Sequence, residues 1–200
     1  MIYVFVFVFM LAGPKSESIQ YEKQCTAINK ADICLRNYTR VCATPTQQQL
    51  FGLVFNGLRR VHHDYCRRGS DMRDSYLRHV PCLRSVIRDP LNPCMKDLQV
   101  MGEEVTESNW INRINLACCA YHRVGGCMVQ QIERSCGGES SDFVKDIFRS
   151  LLSRIPDIRC RDFTDRNPVC QLLPPFGSNP RGGKSTSVIN KLIRTYTDRS

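Results

Sequence analysis

The chain has 200 residues, a formal net charge of +9 and twelve cysteines. That length accommodates one domain or two small coupled ones, and an even, patterned cysteine set in so short a chain reads as a disulfide framework. No CxxC pair, GxSxG nucleophile or phosphate-binding glycine loop occurs, which removes the usual sequence grounds for a zinc ribbon, a serine hydrolase or a nucleotide-binding enzyme.

From the N-terminus, Ile2 to Ala12 form one apolar run. It falls short of the roughly 20 residues of a spanning helix but suits a signal-peptide h-region. Small residues at Ser16 and Ser18 allow cleavage before Ile19, a cut just after Ala12 or Gly13 stays open, and residues 1–18 are expected to be a signal peptide. No second long apolar stretch follows, so the expected product is secreted, extracellular and without a transmembrane anchor. Asn37-Tyr38-Thr39 is the only sequon in the chain and makes Asn37 a candidate glycosylation site.

The cysteines come in two similar series. Cys25, Cys34, Cys42, Cys66 and Cys82 are separated by 8, 7, 23 and 15 residues; Cys118, Cys127, Cys136, Cys160 and Cys170 by 8, 8, 23 and 9. Cys94 and Cys119 stand outside both series, and giving one to each half assigns six cysteines to each. Apolar positions repeat too. Leu50, Leu53, Val54, Leu58 and Val61 match Val144, Ile147, Phe148, Leu152 and Ile155, counted from Cys42 and Cys136. Those offsets draw one stripe on a helix. Cap-like residues precede each stripe: Thr44-Pro45-Thr46 and Ser140-Ser141-Asp142. We therefore expect two duplicated helical modules, 19–94 and 95–170, stapled by six disulfides. The matching gaps make Cys42–Cys66 and Cys136–Cys160 attractive pairs. A straight helix of that length would hold their ends over about 30 Å apart, however, so connectivity stays open.

Between and after these stripes the pattern stays helical. Residues 70–89 carry Met72, Tyr76, Leu77, Val80, Leu83 and Ile87, with a kink expected at Pro81. Asn92-Pro93 opens a segment through Val105, and Ser108 is the expected cap of the next, ending near Gly125-Gly126. A shorter helix should then run from Cys127 to Cys136. Nine residues put those two cysteines about 180° apart on a helix, so they should take different partners. Cys118 and Cys119 should likewise tie their helix to two others. Residues 171–187, rich in proline, glycine and serine, read as a linker, and 171–200 as a flexible basic tail. The expected architecture is an all-α, disulfide-stapled bundle.

Candidate chemistry is sparse. Neighbours among contiguous His62, His63 and Asp64 point about 100° apart on a helix, so the three cannot jointly face one ion; zinc would further need His79 beside them. No cofactor is expected. Eight arginines crowd residues 59–88, and Arg60, Arg67, Arg78 and Arg88 make a candidate anion-binding face for a sulfated glycan or an acidic protein. Aromatic residues are not interleaved with them, which argues against nucleic acid.

Cys118-Cys119-Ala-Tyr-His122 resembles the helix of secreted phospholipases A2, where such a histidine activates water for ester attack. That resemblance implies a hydrolase centred on His122. It departs from the family at Arg123, where an aspartate belongs, and in having no glycine-rich calcium loop within residues 90–117. From Cys118 to Cys170, the stretch CCAYHRVGGCMVQQIERSCGG followed by two more cysteines resembles secreted cysteine-rich proteins of arthropods and nematodes. This implies export and a helical disulfide fold, and carries over no catalytic residue. Insect odorant-binding proteins share the helical, disulfide-rich character, but their Cys-x-x-x-Cys is missing here. The leading expectation is a secreted, non-enzymatic interaction or carrier protein. Its rivals are a carrier of a small apolar ligand, with Phe51, Phe55, Trp110, Phe143 and Phe148 lining a cavity between the halves, and the His122 hydrolase.

Overall fold

The computed structural model describes residues 18–88, 92–152 and 155–181. It is all-α: eight helices and no strand among the described residues. We label them α1 (Ser18–Cys42), α2 (Pro45–Cys66), α3 (Asp71–Arg88), α4 (Asn92–Glu107), α5 (Trp110–Cys136), α6 (Gly138–Leu152), α7 (Ile155–Arg159) and α8 (Pro168–Gln171). The expected leader lies outside the described residues except for Ser18, and so do residues 182–200. Among the described residues no helix is long and apolar enough to cross a membrane.

Local chemistry sets most helix starts. Thr44 caps α2 with a complete capping box: its side chain accepts from the Gln47 N–H, and the Gln47 side chain accepts from the Thr44 N–H at 2.9 Å. Pro45 takes the first turn, where its missing N–H leaves no unmade bond. Elsewhere the structure corrects the sequence reading. Asn109, not Ser108, caps α5, accepting from the Asn112 N–H at 2.9 Å. The helix then runs unbroken through Gly125 and Gly126 to Cys136. Each glycine costs about 1 kcal/mol there, which packing of α4 and α6 against α5 offsets. Ser140 and Ser141 do not cap α6, which starts at Gly138 after the positive-φ residue Gly137. Both serines are buried inside the helix.

One core joins the two halves. It holds Val61 and Tyr65 of α2, Val80, Leu83 and Val86 of α3, Leu98 and Met101 of α4, Met128 and Ile132 of α5, and Val144, Ile147 and Leu151 of α6. The close contact of α2 with α6 depends on Gly57: an added Cβ would lie 2.1 Å from the Leu151 carbonyl oxygen.

Five disulfides staple the bundle: Cys25–Cys66, Cys82–Cys136, Cys94–Cys127, Cys118–Cys160 and Cys119–Cys170. Their sequence separations of 33 to 54 residues correspond to about 4 kcal/mol each in the chain-entropy account. Cys25–Cys66 and Cys118–Cys160 occupy matching places in the two series, each tying a long helix to the far end of the next stripe. The bond map resolves the pairing left open and differs from the sequence reading in two further respects. Cys66 and Cys160 do not pair with Cys42 and Cys136: α2 stands between Cys42 and Cys66, and α6 and α7 lie between Cys136 and Cys160. The bonds are not kept within each half, because Cys82–Cys136 and Cys94–Cys127 join the halves. There are not six bonds, because Cys34 and Cys42 are free and exposed. They lie on one helix, about 12 Å apart along its axis, well beyond disulfide reach.

The expected linker is in part anchored. Leu173 is buried, the Pro174 carbonyl accepts from Arg123 at 2.8 Å, and the Arg181 N–H donates to the buried Glu103 carboxylate at 2.7 Å. The Arg181 guanidinium also bridges Glu104 and Glu107. These contacts strap residues 171–181 across α4 and α5.

Candidate functional site

Among the described residues, a surface groove of about 220 Å³ between α1 and α2 is lined by Leu35, Arg36, Thr39, Arg40, Gln48, Gly52, Phe55 and Arg59. Helix α1 supplies one wall through positions 35, 36, 39 and 40, which fall on its inner side at helical spacing. Asp32 organises the charges, accepting from Arg36 Nε at 3.0 Å and from Arg59 Nε at 2.8 Å. Three guanidinium groups against one carboxylate leave a net charge of two positive units around a partly apolar floor that includes Phe55. Such a site can take an anionic group carried on a partly apolar body.

The candidate anion face is only partly located. Arg60 on α2, Arg67 just after it and Arg78 on α3 are exposed; the Arg88 side chain lies outside what is described. Asn37 is exposed on α1, as a glycan acceptor must be.

The histidines disperse. His63 is exposed and pairs with Asp64 at 3.1 Å. His79 stacks on Phe143 and bonds Ser140 Oγ at 3.0 Å. His62 is buried, and its Nε2 has no hydrogen-bond partner. Burial holds His62 below the usual histidine range, so it is neutral at pH 7. His62, Cys25 and Cys66 place possible ligand atoms within 4.8 Å of one another. Both sulfurs are spent in a disulfide, so they offer no thiolate to a cation.

His122 Nε2 lies 2.8 Å from the Cys160 carbonyl oxygen, so that nitrogen carries the proton and donates it. Its ring meets Tyr121 edge-on. Arg123, where the phospholipase pattern has aspartate, makes a two-pronged pair with fully buried Asp97 at 2.9 and 2.6 Å. These groups fasten α5 to α4, to the loop around Cys160 and to the C-terminal strap.

Sequence reasoning missed a cluster at the junction of α1, α2 and α3. The Tyr21–Tyr65 and Tyr65–Tyr76 ring centroids are each 4.7 Å apart, and the Arg73 guanidinium sits 4.2 Å above the Tyr21 ring. Tyr65 donates to Gln24 Oε1 at 2.9 Å, and Tyr21 donates to the Tyr65 carbonyl. Burial pushes the Tyr21 and Tyr65 phenols up, so both stay neutral. Helical spacing alone does not reveal that three tyrosines on different helices share one site.

Groove, staples and strap define a disulfide-stapled, all-α protein. No protein-family model matches the chain, and neither does any curated protein or solved structure.

Proposed function

We propose that this chain is a secreted, non-enzymatic binding protein that holds an anionic extracellular partner in the α1–α2 groove. The observation carrying the reading is the convergence of Arg36, Arg40 and Arg59 on one concavity beside Phe55, with Asp32 neutralising only one of the three charges. Five disulfides support export, since such bonds persist in oxidising compartments.

A sulfated oligosaccharide is the probe. Purified protein should be retained on a sulfated-glycan column at low salt, and Arg36→Glu/Arg40→Glu should elute at markedly lower salt. An equal charge change at Arg60 and Arg78 separates groove binding from general basic attraction. If the two double variants shift equally, the groove is not the site.

The rival readings receive less support. Gly57 packs directly against the Leu151 backbone at the junction of the halves, where the carrier reading needs an apolar cavity. For the hydrolase, the phospholipase-like motif has its histidine bonded to a carbonyl and its neighbouring arginine locked to Asp97. Esterase activity lost in His122→Ala would revive that reading.

A further inference from the structure

One face of α1 is apolar, exposed and carries both free thiols. Ala27, Ala31, Cys34, Tyr38 and Val41 follow the alternating four-and-three spacing of a helix-pairing seam, with Cys42 beside it. Ala27 and Ala31 are exposed, Tyr38 is 61 % exposed, Val41 is 77 % exposed, and Cys34 and Cys42 are free at the surface. At about 100° per residue, Cys34, Tyr38, Val41 and Cys42 lie within about 100° around the axis. The groove residues Arg36, Thr39 and Arg40 lie beyond that arc, so the seam and the groove are separate surfaces.

The internal repeat shows what such a face receives. In the second series the matching helix is α5, where Ala27 corresponds to Ala120, Ala31 to Val124 and Cys34 to Cys127. Tyr38 corresponds to Ile132, counted back from the last cysteine of each helix. There Ala120, Val124 and Ile132 are buried. Cys127 is bonded to Cys94 of α4, and Cys136 to Cys82 of α3. Two cysteine-bearing helices therefore cover the face on α5, and among the described residues the corresponding face on α1 is bare. The spacing differs in a way that matters. Cys127 and Cys136 are nine residues apart and point to opposite sides, toward two helices. Cys34 and Cys42 are eight apart and about 80° from each other, so one partner helix can reach both.

We propose that a second copy of this chain covers this face, with the two α1 helices antiparallel about a two-fold axis at Tyr38. Cys34 of each copy then bonds to Cys42 of the other. Ten of the twelve cysteines are used within the chain, so the thiols a second copy offers are Cys34 and Cys42 themselves. Position 38 is midway between them. Antiparallel alignment on Tyr38 thus sets 34 against 42 twice over, the self-complementary arrangement that a two-fold interface requires. The oxidant is a small-molecule disulfide, glutathione disulfide. The Cys34 thiolate attacks one of its sulfurs and expels a glutathione thiolate, leaving a mixed disulfide. The partner's Cys42 thiolate then displaces the second glutathione. For each bond, two cysteine thiols lose two electrons and two protons, recovered as two glutathione thiols.

The test is refolding of the full chain in a glutathione redox buffer, which leaves Asn37 bare of any glycan at the seam's edge. Readouts are non-reducing electrophoresis, light scattering and a disulfide peptide map. The expected product has twice the monomer mass, reverts to monomer on reduction, and yields a peptide joining Cys34 to Cys42. Cys34→Ser and Cys42→Ser should each remain monomeric when oxidised alone, while a mixture of the two restores a dimer held by one bond. The five internal bonds, mapped in every variant, verify that each has folded. Three results would each overturn the proposal: a monomer whose Cys34 and Cys42 both alkylate without prior reduction, a Cys34–Cys42 bond within one chain, or either single variant dimerising by itself.

Discussion

Replacing Gly57 by alanine tests the central packing claim, that the two halves meet backbone to backbone. In the middle of a helix, glycine to alanine ordinarily stabilises by about 1 kcal/mol. Here the new methyl carbon would lie 2.1 Å from the Leu151 carbonyl oxygen and 2.8 Å from both Leu151 C and Ser150 O. Ordinary contact begins near 3.4 Å, so α2 and α6 would have to separate by more than 1 Å. Overpacking costs about 1–3 kcal/mol, and rigid backbone atoms place this site at the upper end. The net expectation is a loss of about 2 kcal/mol, lowering Tm by about 4–8 °C for a chain of this size. Gly125→Ala is the control: it is also helical, and nothing stands within 4 Å of its added Cβ. It should raise stability by about 0.5–1 kcal/mol. Urea unfolding with disulfides intact, followed by circular dichroism, reads both variants. If Gly57→Ala matches Gly125→Ala, there is open space between the halves, and the apolar-ligand carrier becomes the better reading.

Two further outcomes follow from buried charge. Asp97→Asn leaves the mostly buried Arg123 guanidinium without its counter-charge, and should cost about 3–5 kcal/mol in urea unfolding; a loss below about 1 kcal/mol would show that the pair is dispensable. His62 has its folded pKa held below the unfolded value of 6.5, chiefly by burial. Its contribution to stability is therefore fully present above pH 6.5 and declines as pH falls below it, since the unfolded chain then binds the proton more readily. The fall in stability from pH 7 to pH 5 should be shallower in His62→Phe than in the parent, and an unchanged slope would contradict the buried neutral imidazole.

Local signals in the sequence were read correctly where local chemistry decides the structure. Thr44-Pro45 marks a real helix start because its capping bonds involve only neighbouring residues, and α4 begins at Asn92-Pro93, with Asn92 as its first helical residue. The different partners of Cys127 and Cys136 follow from helical geometry alone. What escaped was decided by distant contacts. Gly125-Gly126 looks like an ending, yet α5 continues because α4 and α6 pack along it. Residues 171–181 have linker composition, but Arg181 finds three carboxylates on α4. The repeated spacing does not show that bonds cross between the halves, because spacing along the chain does not fix which faces come to be covered. At the groove, the arginines of the 59–88 run were conspicuous. Arg36, Arg40 and Asp32 were not, since only the α1–α2 contact brings them beside Arg59.

The bond map has one unguarded passage. Each of the loops between helices from 43 to 170 is spanned by at least one disulfide, except between Cys66 and Cys82. That interval holds the exposed turn after α2, with Arg67 and Arg68 at the surface. A protease cutting after either arginine would divide the chain into two pieces with no covalent tie within the monomer. Equivalent nicks in the other loops between helices from 43 to 170 would stay hidden until reduction. The protein therefore carries a built-in trypsin-type separation point, and the α1–α2 hairpin it would release holds both the groove and the two spare thiols.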